Sequence, residues 1–321
     1  MSINEFGVRF KNAPIIIPTL NRYEHLKRCV TSLANNKLAK DSELVISLDY
    51  PPHEKYREGW EKIKEYLPTI VGFGKVTVLC ADENIGAAKN CNKLRSYVKG
   101  LGYDAFILSE DDNVFAPNFL DYMNWALRTY KDDDSILAVC GYKRVDVSFL
   151  KNNVYKYPRF NAWGYGMWFK KREKLDKWEN FELLQNYVDS RPLYTVFTKQ
   201  IFLVNSVMRM LYRHVILGDS LPYLLPLEER YCLYPKISLV RNEGFDGSGL
   251  HNVYTSELYN MYHLSKVDEN VAFKPHIVCP LYDPALKRVY NKAYKRSFKL
   301  YIDVAIKFLM YKLFGKYYRF G

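Results

Sequence analysis

The 321-residue sequence has no long hydrophobic runs, and its cysteines lack metal-binding spacing. No segment reaches about 18 consecutive uncharged apolar residues, so we expect no membrane-spanning helix. The opening stretch MSINEFGVRFKNAP has no basic head followed by an apolar block, so a secretory signal is not expected. The six cysteines form no C-x-x-C pair, which is typical of free thiols in a reducing cytoplasm.

Negative charge is scarce near the C-terminal end. Residues 284–321 contain ten Lys or Arg and a single acid, Asp303, so they carry +9 of the net charge of +12. The rest of the chain is close to neutral. A general nucleic-acid surface is therefore not expected.

Short apolar runs alternate with helical patterns in the first half of the chain. PIIIPTLNR predicts a buried strand that Pro18 ends, followed by a turn, and further strands are predicted in ELVISLDY, KVTVLC and AFILS. Helices are predicted from Tyr23 to Leu33 and after Gly86. This alternation favours an α/β fold, with a mostly parallel central sheet and helices on both faces. Ligands of such sheets bind at the carboxyl ends of the strands.

Polar side chains fall at those carboxyl ends. Asp49 and Asn84 follow the second and third strands, and Glu110, Asp111 and Asp112 follow the fourth. Three adjacent carboxylates repel one another and need a cation or hydrogen-bond donors nearby. Two interpretations are open. The acids bind a metal ion, or they cap the helix that follows.

Six motifs in order resemble the nucleotide-sugar glycosyltransferases of the GT-A fold, near families 2 and 13. They cover roughly residues 13 to 252. In chain order they are PIIIPTLNR, ISLDY, ENIGAAKN, SEDDNVFAPNF, NAWGYGMWFKK and RNEGFDGSGLH.

The resemblance implies a role for each motif. Asp112 would bind Mn²⁺ or Mg²⁺ together with His251, and Glu110 and Asp111 would contact ribose, sugar hydroxyls or metal-bound water. Asp49 would contact the base of the nucleotide. The other residues implied to bind the donor are Pro18, Thr19, Asn21, Arg22, Asn84, Gly86, Lys89, Trp163 and Gly164.

An inverting transfer also needs a carboxylate that takes the proton of the acceptor hydroxyl. Asp219, in LGDSLPYLL, has the spacing to Asn242 that the resembling families show, although Leu217 and Gly218 replace their aromatic residue. The alternative for Asp219 is a helix N-cap. The paired acids Glu228 and Glu229 are the rival bases, and a solvated helix face is their alternative.

The basic C-terminal stretch predicts an amphipathic helix from Lys287 to Leu309. One face would carry Tyr290, Tyr294, Tyr301, Ala305 and Phe308, and the other Arg288, Lys292, Lys295, Arg296 and Lys299. Such a helix either lies on an anionic membrane or packs on the domain or on a second subunit. The density of basic residues favours the membrane.

These observations predict three segments: a catalytic domain over residues 1–255, a connection over 256–283 and a basic helical tail over 284–321. The predicted activity is metal-dependent, inverting transfer of a hexosyl or N-acetylhexosaminyl group. The donor would be a nucleotide-diphosphate sugar, foremost a UDP-sugar. The acceptor would be lipid-linked or a surface polysaccharide.

The protein is expected in the cytoplasm, peripheral on the inner face of the membrane, and a homodimer is left open. Two other functions compete with this one. A sugar-nucleotide pyrophosphorylase would need a glycine-rich phosphate loop after the first strand, and PTLNRYEHL has no glycine there. A non-catalytic basic membrane- or nucleic-acid-binding protein would leave the three acids without a role.

Overall fold

The structure is a computed structural model. It describes residues 11–176, 181–198, 201–213, 230–248, 283–293 and 298–314.

Eight strands form the central sheet. Their order is β3-β2-β1-β4-β8-β6-β9-β7, and two further strands, β5 and β10, pair with each other. The strands are β1 Ile15–Thr19, β2 Glu43–Leu48, β3 Lys75–Cys80, β4 Ala105–Leu108, β5 Asn113–Phe115, β6 Ile136–Cys140, β7 Val154–Tyr157, β8 Tyr165–Trp168, β9 Tyr231–Pro235 and β10 Val240–Asn242.

Strands β3, β2, β1 and β4 are mutually parallel, whereas β8 is antiparallel to both of its neighbours. Farther along the sheet, β6 and β9 pair in parallel, and β7 is antiparallel to β9. The parallel group places the carboxyl ends of β1, β2 and β4 side by side. The site is built there.

Helices cover both faces of the sheet. Their bounds are α1 Tyr23–Ala34, α2 Arg57–Tyr66, α3 Ala87–Gly100, α4 Phe119–Thr129, α5 Phe169–Asp176, α6 Phe181–Asp189, α7 Thr195–Thr198, α8 Ile201–Arg213, α9 Pro284–Ala293 and α10 Phe298–Phe314. Helices α1, α2 and α4 bury apolar side chains on one face, and α3 and α9 do so on the other. The predicted α/β fold with a C-terminal helical tail is confirmed.

Pro18 does not end the first strand as predicted, because β1 continues to Thr19 and Pro18 lies in register with Ser47 of β2. The carbonyls of Pro14 and Ile16 face β4, where they accept hydrogen bonds from Ile107 and Ser109. By alternation Pro18 faces the same side. Since the β1–β4 ladder ends at Ile16, the missing N–H of Pro18 leaves no ladder bond unmade.

A third apolar cluster lies among the later helices. Leu184 and Val188 of α6 and Val207 and Leu211 of α8 are buried against Val304, Phe308 and Tyr311 of α10. Segments far apart in sequence thus share one small core. The division of the chain at residues 255 and 284 stays a prediction.

The C-terminal stretch is helical on both sides of residues 294–297, since α9 ends at Ala293 and α10 begins at Phe298. Residues 294–297 lie outside the described residues, so a single helix from Lys287 to Leu309 stays a prediction. Two rings of the aromatic stripe are buried, and Tyr301 is partly exposed. Tyr290 is buried, its ring stacks on Tyr157 at 3.7 Å, and its hydroxyl bonds that of Tyr155 at 2.9 Å. Phe308 is also fully buried. These rings fill gaps between elements, so they do not face a membrane; Tyr294, Lys295 and Arg296 lie outside the described residues.

Within the described part of the chain, no helix is both long enough and apolar enough to cross a bilayer.

Candidate functional site

The ends of β1 and β4 bring two acids and a base together. The Thr19 hydroxyl donates to Asp111 Oδ2 at 2.8 Å, and Arg22 Nη1 donates to Asp112 Oδ2 at 2.7 Å. The second guanidinium nitrogen, Nη2, pairs with Asp111 Oδ1. Asp111 and Asp112 are only 4% and 5% exposed. One guanidinium therefore bridges both buried carboxylates.

The electrostatics of this cluster follow from burial and from like charges. Burial lowers the pKa of Arg22, but the charges of Asp111 and Asp112 outweigh it and raise that pKa above its usual value. Burial also raises the pKa of Asp111. Burial and then the charge of Asp112 raise the pKa of Glu110 to about 8. At neutral pH the Glu110 carboxyl group is therefore largely protonated.

The loop in which the RNEGFDGSGLH motif begins, called the late glycine loop, also contacts Asp112. Strand β10 pairs antiparallel with β5, so Asn242 lies in register with Asn113. Asn242 Nδ2 donates to Asp112 Oδ1 at 2.7 Å, and the N–H of Gly244 donates to Asn242 Oδ1 at 3.0 Å. A Cβ at Gly244 would overlap Asp112 Oδ2. Only a glycine leaves that carboxylate its present place.

Glu243 ties the late glycine loop to two arginines and to the backbone of Asp112. Its carboxylate accepts from Arg28 Nε at 2.7 Å and from Arg241 Nη2 at 2.6 Å, and its N–H donates to the Asp112 carbonyl at 2.8 Å. Burial raises the pKa of Glu243, but the two arginines outweigh it and hold that pKa below its usual value. Sequence reasoning missed Asn242, Glu243 and Gly244 as site residues. The only signal was the R-N-E-G run that opens the glycine loop.

Asp49 forms a second polar cluster beside the first. Its carboxylate accepts backbone hydrogen bonds from Tyr50, Ile85 and Gly86, each at 2.9 Å, and one from the Asn84 side chain at 3.2 Å. The N–H of Asp49 donates to the Thr19 carbonyl at 3.0 Å. Asp49 thus holds the loop that enters α3, where Gly86 adopts a φ of +79°.

Trp163 and Gly164 approach the cluster through an aromatic contact. The Trp163 ring packs on Tyr142 at 4.5 Å and on Phe245 at 5.7 Å, next to Gly244. Gly164 has a φ of +59°, and a Cβ there would lie 2.8 Å from the Phe115 ring. The W-G pair and the late glycine loop therefore meet beside the acids.

The remaining predicted residues are more scattered. Pro18 is partly exposed at the end of β1, and Lys89 is exposed on α3. The Asn21 backbone packs so closely on Gly59 that a Cβ there would overlap the Asn21 carbonyl. His251, the predicted metal ligand, Asp219, the predicted base, and the rivals Glu228 and Glu229 lie outside the described residues.

The alternative role of the three acids, capping a helix, does not fit this geometry. Helix α4 begins only at Phe119, and strand β5 lies between the acids and the helix. The N-cap is Asn118, which makes no side-chain capping bond. The acids are held instead by Thr19, Arg22 and Asn242.

The carboxylate oxygens of Asp111 and Asp112 indicate which kind of metal ion the site could bind. Carboxylate oxygens are ligands of hard divalent cations, and Mg²⁺ is commonly held by one or two carboxylates plus substrate phosphates. In the described ranges no group of three or more His, Cys, Asp or Glu forms a ready metal site. Asp111 and Asp112 would supply carboxylate oxygens of this kind, and substrate phosphates would supply the other ligands of a cation.

A family model decides the affiliation of the chain. The glycosyl transferase family 2 model matches residues 15–187, which is more than half of the sequence. The chain belongs to glycosyl transferase family 2. This membership confirms the resemblance to these glycosyltransferases, and the matched range contains Arg22, Asp49, Asp111, Asp112 and Trp163.

Solved structures similar to this family 2 chain share little sequence with it. TarS of S. aureus is 15% identical with a TM-score of 0.31, and the match covers 47% of this chain and 25% of TarS. The mannosyltransferase PcManGT of Pyrobaculum calidifontis, solved with GDP-Man and Mn²⁺, is 13% identical with a TM-score of 0.38, covering 95% and 88%. Mouse xyloside xylosyltransferase 1 is 11% identical with a TM-score of 0.30, covering 50% and 69%. No curated protein matches the chain.

Proposed function

We propose that this chain is a metal-dependent, inverting glycosyltransferase that uses a nucleotide-diphosphate sugar, foremost a UDP-sugar. One observation carries the proposal: two buried carboxylates, Asp111 and Asp112, lie side by side at the carboxyl edge of the parallel strands. That edge is where open α/β sheets bind ligands. Family 2 membership supports the same reading.

The chemistry explains why two acids belong there. Transfer of a sugar breaks the bond from the anomeric carbon to the diphosphate, so negative charge grows on the leaving phosphate. A divalent cation stabilises that charge. Asp112 would hold the cation, with Asp111 beside it, and His251 would be a further ligand. Mn²⁺ or Mg²⁺ fits these oxygen donors.

The chain's own residues would orient the donor. Arg22 lies against both carboxylates, so its guanidinium is placed to meet a phosphate at the same edge. Asp49, Asn84 and Gly86 form the neighbouring wall, where we place the base and ribose. Trp163 and Phe245 form an apolar wall on the opposite side, suited to a sugar ring.

Attack on the anomeric carbon needs a base for the acceptor hydroxyl. We assign this role to Asp219, which would take the proton as the new glycosidic bond forms and the nucleoside diphosphate leaves. Glu228 and Glu229 remain the competing candidates.

The proposed acceptor is a lipid-linked glycan or a surface polysaccharide, and the transferred group is a hexosyl or N-acetylhexosaminyl residue. We place the enzyme on the cytoplasmic face of a membrane, without a nucleic-acid partner. A homodimer is compatible with this function. Family 2 membership argues against the pyrophosphorylase and against a basic binding protein without catalysis.

Thermal unfolding with a panel of nucleoside diphosphates, with and without Mn²⁺, tests the proposal. A ligand at 100 times its dissociation constant stabilises the folded state by about 2.7 kcal/mol. We expect at least one diphosphate to raise the unfolding temperature only when Mn²⁺ is present. A panel in which no nucleotide shifts the transition, with or without metal, would contradict donor binding.

A further inference from the structure

The last helix, α10, has two apolar faces, and only one of them is buried. Val304, Phe308 and Tyr311 pack against α6 and α8. On the other side, a stripe of five apolar residues is exposed, each between 39% and 77%. The stripe consists of Phe298, Ile302, Ile306, Leu309 and Leu313.

The spacing of the stripe makes it one continuous ridge. Its members follow one another at intervals of four, four, three and four residues, so at 100° per residue they span an arc of about 80°. Val304, Phe308 and Tyr311 project on the opposite side of the same helix. A helix that needed only one apolar face for packing would carry polar residues along this ridge.

Exposed apolar residues also lie on α7, which packs beside α10, and in the turn before α7. The Phe197 ring is half exposed and stacks on the Tyr301 ring at 6.0 Å with an interplanar angle of 11°. Leu193 is exposed one helical turn earlier. A row of exposed apolar residues such as the α10 stripe is typical of a binding face on a folded protein.

The charge around the ridge indicates what binds it. Lys299 and Lys312 flank the stripe on either side and are exposed. Lys307 is neutralised by Asp303 at 2.7 Å and does not count toward this charge. Lys312 also donates to the Asp189 carbonyl at 3.2 Å, which holds its ammonium group at the rim.

The basic residues beside the ridge distinguish between two possible binding partners, a second copy of the chain and an anionic lipid surface. A second copy of the chain docked through the same face would bring basic residues against basic residues, and like charges at an interface are unfavourable. An anionic lipid surface offers the opposite charge to the lysines and an apolar layer to the stripe.

We propose that the protein docks on an anionic membrane through the exposed stripe of α10 and the basic residues that flank it. The helix axis would lie in the plane of the membrane. The docking face is thus not the side of the buried rings of Tyr290 and Phe308; it lies across α10 from Phe308. Docking does not depend on the proposed sugar transfer. Vesicle binding is measured without nucleotide, so either proposal can fail alone.

The test compares the full chain with the double variant Ile306→Gln and Leu309→Gln. The matched control is Val71→Gln and Phe149→Gln, which changes two exposed apolar residues far from α10 in sequence. Binding is measured by co-sedimentation with phosphatidylcholine vesicles, with and without phosphatidylserine. We expect the parent and the control to bind the anionic vesicles, and the α10 variant to lose at least about tenfold in affinity. Binding of the parent should weaken with salt.

Three results would overturn the proposal: no binding of the parent to anionic vesicles, equal binding by the α10 variant, or a parent dimer that the variant converts to a monomer. The last would assign the ridge to a second copy. Circular dichroism checks the fold of each variant. A second double variant, Phe298→Gln and Leu313→Gln at the ends of the stripe, repeats the test with different side chains.

Discussion

Asn242 donates a hydrogen bond of 2.7 Å to Asp112, across 130 residues of sequence. The bond exists because β10 pairs with β5 directly after the three acids. It fixes one oxygen of Asp112 while Arg22 holds the other. The position of the central carboxylate therefore depends on a strand from the far end of the described domain.

Replacing Asn242 with alanine should destabilise the protein. The change leaves Asp112 Oδ1 and the Gly244 N–H without their buried partner, which costs about 1–3 kcal/mol of unfolding free energy. Urea unfolding measures it. Asn35→Ala, at an exposed position after α1, is the matched control and should stay close to the parent. Equal stability of both variants would show that the Asn242 bonds contribute little.

Gly244→Ala should disturb the site through shape alone. The new methyl group would overlap Asp112 Oδ2, so the carboxylate or the loop must shift. Overpacking of this kind costs about 1–3 kcal/mol. Calorimetry should also show weaker Mn²⁺-dependent nucleotide binding. Gly100→Ala, where a Cβ meets open space, should leave both properties unchanged. Parent-like nucleotide binding by Gly244→Ala would argue against a role for Asp112.

Much of the first half of the site could be predicted from the sequence. Thr19, Arg22, Asp111 and Asp112 lie together because β1 and β4 are adjacent and parallel. The alternation of strands and helices predicts that these residues share the carboxyl edge of one parallel sheet, but not that β1 and β4 are neighbours. The pairing partner of Arg22 was not predictable. Its side chain was expected to reach phosphates, but two buried carboxylates draw it first.

The second half of the site, contributed by β10 and the loop after it, could not be predicted because it depends on tertiary contacts. Asn242 and Gly244 act through the β5–β10 ribbon, whose two strands have three residues each and leave no periodic pattern to read. The aromatic residues of the C-terminal helices show a similar limit of prediction from sequence. A helical projection finds Tyr290 and Phe308 on one face, but it does not tell whether that face meets lipid or the protein's own core.

Glu110 should make stability depend on pH. Its pKa in the folded state, about 8, lies above the ordinary value of 4.5, so ionisation disfavours the fold. Its contribution to the free energy of unfolding falls as pH rises from about 4.5 to about 8 and is level above that. Glu110→Gln should remove this term and gain stability relative to the parent over the same range. Denaturant titrations at several pH values measure it.

The control is Glu83→Gln, at an exposed position, which should track the parent at every pH. A constant difference between the Glu110 variant and the parent from pH 5 to pH 8 would contradict the raised pKa.

Asp219→Asn should separate chemistry from binding. If Asp219 is the base, nucleotide and metal affinity stay near those of the parent while turnover falls by about 10² to 10⁴. Glu228→Gln serves as the comparison and should keep most of its turnover. Retained turnover in the Asp219 variant, with a loss in the Glu228 variant, would move the role to the paired glutamates.

The most direct test is release of nucleoside diphosphate from a panel of nucleotide sugars by the parent, Asp112→Asn and the exposed control Asp82→Asn. Asparagine keeps the shape of Asp112 and removes the charge that would hold the cation. We expect the parent and the control to release nucleoside diphosphate from at least one donor with Mn²⁺, chelation to abolish this release, and the Asp112 variant to release it at least about 10² times more slowly. Release by Asp112→Asn at the parental rate, or equal release by the parent in chelator, would contradict it.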